Sequence, residues 1–157
     1  MSRLPRAFAL LAFGLLAFAD RAASGQPAPG PESIPLRLLN VRPLIFPTAF
    51  QGDPSHVVAP AASDEGAALF VITGHPFLTV SLQLPEDDVE LFTLSFEQGP
   101  KSLRIRRLIT QPPEGESFHL GLLGLRKVYV GGTRDAIHRR QASGPYLGRF
   151  FLTVVHQ

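Results

Sequence analysis

Cysteine is absent from all 157 residues. That excludes a disulfide scaffold, a CxxC redox centre, cysteine-ligated zinc and a lipid-modified cysteine near the start of the chain. Charge is also scarce. Asp, Glu, Lys and Arg make up 18% of the chain, against roughly 25% in an average soluble domain. No uncharged apolar run reaches the about 20 residues that a membrane-spanning helix needs. Long helices are disfavoured as well, because 15 Pro and 14 Gly interrupt the chain at short intervals. What the chain does have is apolar mass, 45% hydrophobic, in a length that suits one domain.

The longest uncharged stretch lies at the start. Arg3 and Arg6 precede Ala7 to Ala19, a run of Ala, Leu, Phe and one Gly. Ala17-Phe18-Ala19 sets small residues at the two positions that a signal peptidase inspects. This pattern predicts an export signal over residues 1–19, with a second possible cut after Gly25, and an exported mature chain in the periplasm or at the cell surface. Removing Arg3 and Arg6 from the 15 basic residues leaves thirteen against the 13 acidic ones. The later cut also removes Asp20 and Arg21 and leaves twelve of each. The mature chain is thus neutral, which gives no support to nucleic-acid binding. Residues 20–33 are rich in Pro, Gly and small side chains and predict a flexible linker. From residue 34 to 157 the texture is uniform and predicts one domain.

Within that domain the apolar period is near two. Leu78, Val80, Leu82 and Leu84 alternate with Phe77, Thr79, Ser81 and Gln83, the pattern of a half-buried strand. Phe150, Leu152 and Val154 form one face of a closing strand. Leu103, Ile105 and Ile109 form one face of another, against Ser102, Arg104, Arg106 and Thr110. Residues 67–73 are a continuous apolar run suited to a central strand. Residues 36–46 are apolar but broken by Asn40, Arg42 and Pro43, and Pro43 favours an edge. Gly-, Pro- and Asp-rich turns separate these runs. Residues 115–126 are a helix rival, but Gly121 and Gly124 weaken it by about 1 kcal/mol each, so strand or irregular structure is expected there. Together these runs predict an all-β sandwich or barrel.

Three stretches carry a family resemblance. They are Gly66-Ala67-Ala68-Leu69-Phe70-Val71-Ile72-Thr73-Gly74 with Leu82-Gln83-Leu84-Pro85 after it; Val128-Tyr129-Val130-Gly131-Gly132-Thr133; and Gln141 to Phe150 running into Leu152-Thr153-Val154. In this order they resemble the exported bacterial family known as domain of unknown function 4402. The closing stretch is also similar to the last strands of spore coat protein U and of chaperone–usher pilins. The resemblance implies an immunoglobulin-like antiparallel β-sandwich exported by a Gram-negative bacterium, and it brings no catalytic residues. The chain departs from that pattern in Arg134, Asp135, His138, Arg139 and Arg140, and in the arginines between Leu103 and Thr110.

Glycine has a physical reading of its own. Gly74, Gly131, Gly132, Gly144 and Gly148 are expected to be structural, giving a positive φ or a close backbone approach. Tyr146, between Gly144 and Gly148, is expected to bury its ring and turn its hydroxyl to a backbone group, like a tyrosine corner.

Catalytic, metal and cofactor signatures are weak. His56, His75, His119, His138 and His156 form no HxH, HxxxH or HExxH. Glu86, Asp87, Asp88 and Glu90 lack the spacing of a calcium loop and read as a solvated turn. No GxSxG elbow, GxGxxG or phosphate-binding loop occurs. Ser55-His56 and Ser63-Asp64-Glu65 read as turn caps. A non-enzymatic protein without cofactor or metal is therefore expected.

Two functions fit. One is a fimbrial-like structural or adhesive subunit that joins other envelope subunits by β-strand addition, with Ile34, Leu36 and Leu38 in the exchanged segment. The other is a self-contained periplasmic binding module for an anionic envelope component or polysaccharide. There Arg104, Arg106 and Arg107, or Arg134, Arg139 and Arg140, would meet phosphate or carboxylate, which the arginine fork matches.

Overall fold

The computed structural model describes residues 34–157. The export signal and the linker expected before them lie outside the described residues.

Nine strands and no helix occur among the described residues: β1 (Arg37–Arg42), β2 (His56–Val58), β3 (Ala68–Thr73), β4 (Thr79–Gln83), β5 (Val89–Phe92), β6 (Ser102–Gln111), β7 (Phe118–His119), β8 (Leu125–Arg134) and β9 (Thr153–His156). All pairings are antiparallel. The larger sheet runs β1-β3-β8-β6-β5, and β2 pairs with β8 where β3 has ended. The smaller sheet runs β7-β4-β9. The all-β reading of the sequence is thus the fold, and the helix rival at residues 115–126 is a short strand, a turn and the start of β8.

The period-two pattern explains the core. Ala68, Phe70 and Ile72 of β3 point inward and are buried, while Leu69 and Val71 on the other face are half-buried. Val128 and Val130 of β8 continue that inner surface. From the smaller sheet Val80 and Leu82 close onto it, with Leu120 beside them. Phe150, Leu152 and Val154 pack against the same cluster, on the face the closing alternation predicts. Burying a side chain such as Ile72 or Leu82 fully contributes about 1.5–3 kcal/mol.

One expectation of facing needs correction. Ile109 does not share a face with Leu103 and Ile105. The β6–β8 register advances three residues on β6, Arg106 to Ile109, against two on β8, Thr133 to Gly131. Arg107 sits at this bulge with φ +50°. The extra residue reverses the alternation, so Leu108 packs on the core, Thr110 is buried and Ile109 is exposed.

The paired glycines of β8 stand where chain segments cross. A Cβ on Gly131 would lie 2.2 Å from the Val58 carbonyl oxygen, and one on Gly132 would lie 3.0 Å from the Ile105 side chain. Residues 58–60 therefore run over one face of β8 while β6 side chains close over the other.

Candidate functional site: an apolar cleft with a buried arginine

The smaller sheet is only three short strands and covers the β3–β8 part of the larger one. The inner faces of β5, β6 and the end of β8 meet instead two irregular segments, residues 43–51 and 141–151. Side chains hung on loops fill such a space incompletely, and a cleft of about 1120 Å³ remains. Small-molecule pockets usually measure roughly 300–1,000 Å³. Phe70, Val89, Leu91, Leu103 and Ile105 form the strand wall, and Ile45, Phe46, Phe50 and Phe150 are contributed by the loops.

Polar side chains interrupt this lining, Asn40, Thr48 and Arg149 among them, and Gln51, Gln141 and Tyr146 are engaged within the protein. Gln51 donates to the Gln141 carbonyl oxygen at 2.6 Å. Gln141 donates from Nε2 to the Ser102 carbonyl oxygen and to the Tyr146 hydroxyl, both at 2.9 Å. The Tyr146 hydroxyl donates to the Ala142 carbonyl oxygen at 2.6 Å, four residues upstream. The hydroxyl thus reaches a backbone group, as expected of Tyr146, while the residue as a whole is half-buried. Gly144 beside it has φ +131°. A Cβ on Gly148 would lie 2.6 Å from the Glu90 carbonyl oxygen. At the opposite turn, Gly74 donates its amide to the Gly124 carbonyl oxygen at 2.9 Å.

Arg134 is different. It follows Val128, Val130 and Gly132 at period two on the inner face of β8, a place for an apolar side chain. It is 5% exposed and lines the cleft. Nη2 donates to the Pro54 carbonyl oxygen at 3.0 Å. Nε is enclosed and has no hydrogen-bond partner. Among the described residues no carboxylate pairs with it. Grouping Arg134 with Arg139 and Arg140 as an outward anion site therefore needs correction. Arg139 and Arg140 are exposed, whereas strand alternation turns Arg134 inward.

Arg104 and Arg106 of β6 are on the outer face and already have partners. Arg104 Nε lies 3.4 Å from Glu90 Oε1, its cross-strand neighbour on β5. Arg106 Nη2 lies 2.9 Å from Asp135 Oδ2, and its Nε 3.9 Å from Asp88 Oδ2. Asp88, Glu90 and Asp135 thus lie against Arg104 and Arg106, which sequence spacing alone does not show. Arg107 is exposed at the bulge.

The segment with Ile34, Leu36 and Leu38 is engaged in the same chain. Ile34 is exposed ahead of β1, but Leu36 and Leu38 pack on the core and Leu38 pairs with Ile72. Among the described residues, no three His, Asp or Glu side chains are grouped to hold a metal ion. No described helix is long and apolar enough to cross a membrane.

No family model, curated protein or solved structure matches the chain.

Proposed function

We propose that this chain is an exported, self-contained binding module of the cell envelope, and that it holds an anionic ligand in the cleft rather than on the outer arginines. The observation that carries this reading is Arg134, a buried cation without a carboxylate partner, among the described residues, on the inner, mainly apolar face of β8. Such a charge is tolerated at a cost of several kcal/mol unless something pairs with it. Export is supported by the pattern of residues 1–19. The stretches that resemble domain of unknown function 4402 include β3 and residues 128–133 of β8, while the third is irregular until it enters β9 at Thr153. A fimbrial-like role has less support, because the segment proposed for exchange lies along β3 of its own chain.

The test compares two sets of variants in binding to envelope extracts separated into anionic and neutral fractions. Arg134→Met should abolish retention of an anionic component. The pair Arg104→Glu with Arg106→Glu should leave it intact. Loss with the outer pair and retention with Arg134→Met would overturn the placement of the site.

A further inference from the structure

We infer that the cleft takes a single-chain amphiphile: one carboxylate or similar anionic head against Arg134, and an apolar tail along Phe70, Leu103 and Ile105. The inference rests on the binding-module reading above and names its ligand class.

Three observations select this chemistry. First, Phe70, Val89, Leu91, Leu103 and Ile105 on the strand side and Ile45, Phe46, Phe50 and Phe150 on the loop side give the cleft a mainly apolar lining. A sugar chain needs many hydrogen-bond partners, yet Gln51, Gln141 and Tyr146 spend theirs on protein groups. An apolar tail needs none. Second, of the two arginines in the lining, Arg134 and Arg149, only Arg134 is buried, so the enclosed part of the cleft matches one anionic group. Third, among the described residues no carboxylate offsets the charge of the Arg134 guanidinium. Its Nη2 has the Pro54 carbonyl oxygen, and its Nε has no partner. An anionic head would compensate the buried charge and accept charge-assisted hydrogen bonds, roughly twice as strong as neutral ones. The position itself breaks the apolar alternation of β8 without an internal counter-charge, the kind of local conflict that marks functional sites.

The experiment is calorimetric titration of the purified protein below the micelle concentration of each probe. Octanoate, decanoate and dodecanoate test the tail. Dodecyl maltoside and dodecyltrimethylammonium test the head. Trigalacturonate tests a soluble polyanion. Affinity should rise about fourfold per methylene along the carboxylate series. Dodecanoate should bind at least about tenfold more tightly than dodecyl maltoside, and dodecyltrimethylammonium should bind most weakly. Arg134→Met should bring dodecanoate to the level of the maltoside. Where that variant fails to fold, the head-group series on the unaltered protein still decides. Equal binding of dodecanoate and dodecyltrimethylammonium would overturn the role of Arg134. Binding of trigalacturonate without dodecanoate would overturn the amphiphile and leave the binding module standing. Silence from every anion would overturn both.

Discussion

Arg134 shows how much one residue's phase along a strand decides. Its side chain falls on the inner face because Val128 and Val130 do. That phase was legible in the sequence, but Gly131-Gly132 reads as a stop, which hides the continuation of β8 to Arg134. A second buried polar atom without a partner is the Thr110 hydroxyl. Thr110→Val removes it at nearly the same shape, and should stabilise the protein by about 1 kcal/mol. The measurement is a raised urea midpoint at unchanged slope. Tyr146→Phe acts in the opposite sense. It deprives Gln141 of an acceptor and the Ala142 carbonyl of its donor. A loss of about 1–3 kcal/mol is expected in the same assay. The corner at Tyr146 was legible from its flanking glycines. Its link to Gln141 was not, because sequence proximity does not fix where an amide points.

At the scale of elements, β3 was legible as a continuous apolar run, and the inner faces of β4 and of the approach to β9 from alternation. The β6 bulge was not. Nothing between Arg104 and Ile109 marks an inserted residue, since Arg107 adopts φ +50° without being glycine. The arginine–carboxylate pairs were hidden for a related reason: cross-strand register sets them, and spacing does not. These exposed pairs contribute little, about 0.2–1 kcal/mol each. β1 lies on an edge of the larger sheet and buries Leu36 and Leu38 on its own core. Deleting residues 34–42 should therefore unfold the domain, whereas an intact chain should run as a stable monomer in size exclusion with light scattering. Ladders of oligomers from the intact chain would favour strand exchange. One contact between loops is set by pH. The Ser143 amide, at 2.9 Å, and then its hydroxyl hold the Glu97 carboxyl below its ordinary value. A depressed carboxyl contributes its stabilisation above its unfolded value, and loses it as pH falls through the folded one. The Ser143 amide resonance should titrate with Glu97 in that acidic window and stay still at neutral pH.

For the whole molecule, the sequence made a two-sheet all-β fold legible but not the cleft. The cleft exists because three short strands cover only part of a larger curled sheet, and their lengths of two to five residues are fixed by pairing rather than by local composition. The interior is therefore divided in two: a closed core around Ile72, Leu82 and Leu120, and an open cleft around Val89, Leu103 and Ile105. Methyl NMR reads that division directly. On adding dodecanoate, the methyl resonances of Val89, Leu103 and Ile105 should shift while those of Ile72, Leu82 and Leu120 stay in place. Shifts confined to exposed side chains such as Leu94, which is 95% exposed, or no shifts at all, would contradict it.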